Sequence, residues 1–139
     1  MTRRVTDAPF EEIEHTADFA LRVRGATLDK LFANAARGMV MAAGAVADTT
    51  HRATRRIDLE ALDVETLLVD WLSELVYFME QERLLFTDYD VQATPTALRA
   101  EVRGGPLVEV RRHIKAVTFH NLAVVQHEGG LEATIVFDV

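Results

Sequence analysis

Asp63-Val64-Glu65-Thr66-Leu67-Leu68-Val69-Asp70-Trp71-Leu72-Ser73-Glu74-Leu75-Val76-Tyr77-Phe78-Met79 is the stretch whose period decides the fold. Val64, Leu67, Leu68, Trp71, Leu72, Leu75, Val76 and Met79 recur at helical spacing, which puts them on one stripe of an α-helix. Asp63, just ahead of the stripe, is a good N-cap because its carboxylate accepts from the unpaired N–H groups of a first turn. The pattern predicts a helix to about Glu82, with the Trp71 stripe as core rather than a cofactor pocket. Upstream, Leu28, Leu31, Phe32, Ala35, Ala36, Met39, Val40 and Ala43 form a second stripe, with Thr27 placed to cap it and Gly44 to end it. Each helical stripe follows an alternating run. Ala17, Phe19, Leu21 and Val23 oppose Asp18, Arg22 and Arg24; Ala53, Ile57, Leu59 and Ala61 oppose Thr54, Arg56, Asp58 and Glu60. Period two is the mark of a half-buried strand.

Downstream of the second helix come only extended segments, at about 86–93, 98–103, 116–127 and 131–139. Gly104-Gly105-Pro106 and Gly129-Gly130 punctuate them, and the second pair predicts a tight hairpin. Helices and strands do not alternate as in repeated parallel βαβ units. The expected class is therefore α+β: a mainly antiparallel sheet with two helices packed on one face. At 139 residues the chain has the length of one domain, with residues 1–9 expected to be a flexible N-terminal tail.

Composition narrows the chemistry. There is no cysteine, which excludes disulfides, thiolate catalysis and Cys-ligated zinc or iron–sulfur centres, and fits a reducing compartment. No stretch approaches the ~20 apolar residues of a membrane helix, and the start lacks the apolar core of an export signal. The expectation is a cytoplasmic protein. A net charge of −7 opposes nucleic acid on average. One basic strip stands against it, formed by Arg103, Arg111, Arg112, His113 and Lys115.

Three segments carry residues able to do chemistry. Glu12-Ile13-Glu14-His15-Thr16-Ala17-Asp18 sets carboxylates and an imidazole near a strand start. Asp18 lies out of phase with Phe19, Leu21 and Val23, hence away from the core face. At the other end Asp138 is out of phase with Ile135, Phe137 and Val139 and stands beside the final carboxylate. If the first and last strands are neighbours, Asp18, Asp138 and a terminal oxygen converge. Such an all-oxygen set suits Ca²⁺, Mg²⁺ or Mn²⁺, with water completing the shell. In Ile114-Lys115-Ala116-Val117-Thr118-Phe119-His120, the lysine could hold a phosphate or carboxylate as a point charge. Each group also has an ordinary reading: a polar strand end, a solvated lysine, a hydrogen-bonded structural histidine at His120. Asp70 and Glu74, four apart on the second helix, read as a solvated face.

Four strings, His15-Thr16-Ala17-Asp18, Leu67-Leu68-Val69-Asp70-Trp71-Leu72-Ser73-Glu74-Leu75, Ile114-Lys115-Ala116-Val117-Thr118-Phe119-His120 and Val136-Phe137-Asp138-Val139, resemble the archease family in order and separation. Together they span nearly the whole chain. The resemblance implies a non-enzymatic activator of the GTP- and Mn²⁺-dependent tRNA-splicing RNA ligase. It would promote guanylylation of the ligase's active-site histidine, permit multiple turnover and broaden nucleotide use, meeting RNA only indirectly. It also implies that Asp18 and Asp138 are the metal-binding carboxylates, Val139 the adjacent backbone ligand, Ca²⁺ the foremost ion and Lys115 the functionally required lysine. Leu131 departs from the pattern, standing where many members have tryptophan.

Two other classes compete. A small metal-dependent phosphoester hydrolase could use Asp18, Asp138 and His120 around an ion that activates water. Yet the chain has no Gly-rich phosphate loop, His-x-x-x-His pair or nucleophile elbow. A general chaperone or RNA-binding module would need exposed apolar surface or a dominant basic face.

Overall fold

The computed structural model describes residues 8–15 and 18–139. Residues 1–7 of the expected tail, and Thr16 and Ala17 of the first string, lie outside the described residues. In chain order the elements are β1 (Phe10–His15), β2 (Asp18–Gly25), α1 (Leu28–Ala43), β3 (Val46–Ala47), β4 (Ala53–Glu60) and α2 (Val64–Tyr77). A π-helical turn (Phe78–Glu82) follows, then β5 (Leu84–Ala93), β6 (Ala97–Glu109), β7 (Ala116–Val117), β8 (Val125–His127) and β9 (Gly130–Asp138). No helix among the described residues is long and apolar enough to cross a membrane.

Both helices start and stop where their side chains dictate. Thr27 accepts from the Lys30 amide and Asp63 from the Thr66 amide, satisfying first-turn donors that have no partner within the helix. Gly44 ends α1 in the left-handed conformation, φ 64°, with its N–H returned to the last turn. Helical geometry does persist to Glu82 as the pattern predicts, but its last turn is π rather than α.

The class is α+β with antiparallel pairing throughout, and the strands divide between two sheets. One runs β1-β2-β9-β7, with β8 also on β9; the other runs β3-β6-β4, with β5 also on β6. The inner faces of both meet the helices: α1 touches β1, β2, β5 and β9, and α2 touches β4, β6 and β7. Phe19, Leu21, Val23, Ile135 and Phe137 come from one sheet and Tyr89, Val91, Leu98 and Val102 from the other, all buried in a single core with Phe32, Met39, Leu68, Trp71 and Leu72. The Trp71 indole N–H donates to the Phe32 carbonyl at 2.9 Å, tying the helices together as well as filling space.

Three expectations about the strands need correction. Gly104-Gly105-Pro106 does not break the chain, because β6 runs straight through it. A Cβ on Gly104 would stand 1.9 Å from the Leu85 oxygen and one on Gly105 2.0 Å from that of Asp48. These glycines admit close neighbours beside the bulge between Phe86 and Asp88. The extended run 116–127 survives only as β7 and β8, with turns between them. The hairpin exists, but its turn is Glu128-Gly129, with φ of 46° and 79°, while Gly130 already pairs with His127. Two positive φ values in succession match the sense of twist that a two-residue hairpin requires. Alternation also missed β1, whose Glu11, Ile13 and Glu12 mix charge into both phases.

Candidate functional site

The two ends of the described chain are neighbours because β2 pairs with β9. Their register sets Phe19 opposite Phe137 and Ala20 opposite Val136. Continued by one residue, it sets Asp18, the first residue of β2, beside Asp138, the last of β9. On the outer flank of β2, His15 pairs with Asp18; on that of β9, Ala116 pairs with Asp138. The Lys115 N–H donates to the Asp138 carbonyl at 2.7 Å. His15, Asp18, Asp138 and Ala116 thus hold consecutive positions across one end of the sheet, with Lys115 adjoining. Asp18 and Val139 are half-buried, and Asp138 and Lys115 are exposed.

Pleating explains the exposure at this end. Phe19 and Phe137 point into the core, 1% and 0% exposed, so the residue following or preceding each along its strand points the other way. That opposite face is not open along its whole length, since Ala20 and Val136 on it are buried too. Farther along that face Glu11 and Glu132 are paired with Arg22 and Arg24, while the aspartates stand at its end. His120 lies exposed in the turn after β7; its amide donates to the Thr118 hydroxyl at 3.3 Å, and its ring nitrogen Nε2 is 3.4 Å from the Asn121 amide.

Beneath the aspartates lies an arrangement that sequence reasoning missed. The rings of Phe19 and Phe137 stack with centroids 4.8 Å apart and planes 14° from parallel. The Arg112 guanidinium covers the Phe19 ring at 4.4 Å and donates twice to Glu12, at 2.8 and 2.9 Å. Backbone N–H groups of Arg111 and Arg112 both donate to the Ala43 carbonyl, at 3.0 and 2.9 Å, at the end of α1. That carbonyl is one of the unpaired acceptors every helix C-terminus presents. In the sequence Arg112 stood only as one more cation of a basic strip. No period connects it with Glu12, 100 residues away.

The strip itself is neutralised. Arg103 meets Asp88 and Glu101, Arg111 meets Glu109, Arg112 meets Glu12 and His113 meets Glu80. Lys115 has no carboxylate partner among the described residues. It lines an open groove of about 540 Å³ with Tyr77, Glu80 and His113.

Donor chemistry at the sheet end fits a hard divalent cation. Two aspartates and a main-chain oxygen of Val139 offer oxygen alone, the ligand type that Ca²⁺ and Mg²⁺ take. Among the described residues no three Asp, Glu, His or Cys side chains group as a metal site. An ion there would hold two side-chain carboxylates, backbone oxygen and water. Asp70 and Glu74 are half-buried on α2.

The chain resembles known proteins over nearly its full length. It is 34% identical to a protein archease of Methanopyrus kandleri, across 94% of this chain and 99% of that one. A protein archease of Methanosarcina barkeri is 30% identical over 94% and 95%. The solution structure of Methanobacterium thermoautotrophicum protein 1598 superposes with a TM-score of 0.69 at 24% identity, covering 94% of this chain and 99% of that one. A crystal structure from Thermotoga maritima, described as an archease and possible chaperone, gives a TM-score of 0.69 at 21% identity over 99% and 100%. The model of the Archease protein family matches residues 10–139, and the chain belongs to that family.

Proposed function

We propose that this protein is a cytoplasmic activator of the GTP- and Mn²⁺-dependent tRNA-splicing RNA ligase, promoting guanylylation of the ligase's active-site histidine and repeated turnover without catalysis of its own. The observation that carries the reading is the β2–β9 register, which sets Asp18 beside Asp138 with Lys115 hydrogen-bonded to the Asp138 backbone. Membership of the archease family supports this reading of the partner. Asp18, Asp138 and the Val139 main chain would hold the divalent ion, Ca²⁺ foremost, with Mg²⁺ or Mn²⁺ as alternatives. When bound, that ion supplies positive charge at an otherwise acidic tip.

What the chain's own residues contribute is placement. Phosphoryl transfer depends mainly on positioning and on charge stabilisation, so a rigid tip that enters another enzyme's site can accelerate a step it does not perform. Lys115 lies on an exposed edge without an opposing carboxylate among the described residues, which suits it to a phosphate or carboxylate of the partner. RNA would be met only through the ligase.

The test is ligase guanylylation with GTP under limiting metal, with and without this protein. The expected outcome is stimulation by the wild type and its loss, by about 10²-fold or more, in folded Asp18→Ala, Asp138→Ala and Lys115→Ala. Full stimulation by all three variants sinks the reading. Phosphoester turnover by the protein alone, abolished in Asp18→Ala, would replace it with a metal-dependent hydrolase.

A further inference from the structure

We propose that Arg112 is a positioning residue that holds the two aspartates and Lys115 in one geometry. The assignment rests on the metal reading above and extends it to a side chain outside the acidic edge.

Arg112 joins three parts of the molecule that the site requires to be fixed. Its guanidinium grips Glu12 on β1 with two bonds at 2.8 and 2.9 Å. Its charged plane lies 4.4 Å from the Phe19 ring, and Phe19 in turn stacks on Phe137. Phe19 directly follows Asp18 and Phe137 directly precedes Asp138. Each aspartate is therefore one peptide unit from a ring in the stack. The third part is the segment 111–115: anchored to the Ala43 carbonyl by the amides of Arg111 and Arg112, it reaches the Asp138 carbonyl through the Lys115 amide. One side chain thereby couples β1, β2, β9 and the lysine-bearing segment.

Arginine is the residue this role demands. Its Nη2 alone donates to both Glu12 oxygens, which an ammonium could also do, but only a planar guanidinium covers the Phe19 ring while holding that carboxylate. Supporting groups of this kind fix ligand orientation, and their loss typically lowers metal affinity by about 10–100-fold.

The sign of the effect separates positioning from charge. Arg112 is a cation near a cation site. If only its field mattered, removing it would tighten ion binding; if it positions the ligands, removing it weakens binding. Calorimetric titration of Ca²⁺ into the full-length Arg112→Met variant should show affinity about tenfold below wild type. Arg112→Lys keeps the charge, so a field effect predicts no change there, while loss of the guanidinium from the Phe19 ring predicts an affinity between those of the wild type and Arg112→Met. The amide NMR signals of Lys115 and Asp138 should shift in both variants, with those of the α2 core unmoved. If Arg112→Met does not fold, Arg112→Lys carries the test alone. Asp18→Asn is run beside them. Lost Ca²⁺ binding in Asp18→Asn with wild-type or tighter binding in the Arg112 variants overturns this assignment and leaves the metal reading standing. Unchanged binding in Asp18→Asn overturns the metal reading itself.

Discussion

Replacing Phe137 by alanine removes a ring that is 0% exposed and stacked on Phe19 at 4.8 Å. Truncating a buried phenylalanine destabilises by about 3–5 kcal/mol, through lost transfer energy and the cavity left behind. Lost ring stacking belongs near the upper part of that range, since aromatic pairs contribute about 0.5–1.5 kcal/mol beyond their area. The cavity cannot easily collapse. Phe137 lies on β9 between two paired strands, and the Phe19 ring it stacks on is already covered by Arg112. A loss of about 4.5 kcal/mol is expected on these grounds. With an unfolding entropy of about 0.3 kcal/mol/K for a chain of this length, that becomes a fall of about 15 °C in Tm. Phe137→Leu retains most of the apolar volume and should lose only about 1.5 kcal/mol. Urea unfolding followed by Trp71 fluorescence and by far-UV circular dichroism measures both variants, and Trp71 is the single tryptophan, so the optical signal reports the core directly. The midpoint should fall while the slope stays constant. A loss below about 1.5 kcal/mol in Phe137→Ala would refute the packing that places Asp138 at the sheet end.

Gly104→Ala should destabilise by about 3 kcal/mol or more, because its Cβ would meet the Leu85 oxygen and Phe86 Cα at 1.9 and 2.7 Å, both backbone atoms. Gly129→Ala has open space around it and bears only the strain of φ 79°, so about 1 kcal/mol is expected; equal thermal losses in the two would contradict the close approach. The Thr50 hydroxyl and amide, then the His51 ring, hold the Asp48 carboxyl at about 2, below its ordinary 3.8. Its folded pKa lies below its unfolded one, so the associated stability is complete above 3.8 and is lost as pH falls through about 2. A carboxyl-carbon NMR titration should place the Asp48 midpoint near 2 and move it upward in Thr50→Ala; an ordinary midpoint in the wild type removes the argument. Leu62→Ser, at a side chain 97% exposed, should change stability by less than about 0.5 kcal/mol in the same urea experiment.

The helices were legible because their signals are local: a cap, a stripe at 3.6-residue spacing and a terminating glycine agree within each segment. β2 and β9 were legible for the same reason, each carrying one continuous apolar phase, although Ala20 and Val136 are buried on the other face as well. β1 was not, since Glu12 occupies an inward phase position where it serves Arg112 rather than the core. Gly104 and Gly105 misled because a glycine that ends a strand and one that admits a neighbour across a bulge look identical in one dimension. For the site, phase alone put Asp18 and Asp138 off the core face, and pairing then brought their strands together. The Arg112 stack could not be foreseen. It depends on contacts among residues 12, 19, 112 and 137, whose separations carry no period.

The basic strip shows why a charge count along a sequence is a poor guide to a binding surface. Arg103, Arg111, Arg112 and His113 suggest a phosphate track when read in a row, but each meets a carboxylate, from a distant part of the chain for Arg103, Arg112 and His113 and from neighbouring Glu109 for Arg111. Exposed pairs of this kind add little stability, yet they cancel the local field that a nucleic acid would sense. An RNA backbone would have to displace Asp88, Glu109 and Glu12 before meeting the arginines, in a molecule already at −7. Lys115 is different, having no such partner among the described residues. The isolated protein should therefore bind tRNA weakly at ~0.15 M salt, and Arg111→Ala should leave that binding almost unchanged. Binding by a true phosphate track would weaken steeply with salt and fall further with each cation removed, by roughly one unit of slope per contact. A filter-binding series across salt, with Arg111→Ala and Lys115→Ala beside the wild type, distinguishes the two. A steep slope that Arg111→Ala reduces would return this surface to RNA, and would take from Lys115 its distinction as the strip's cation without a carboxylate among the described residues.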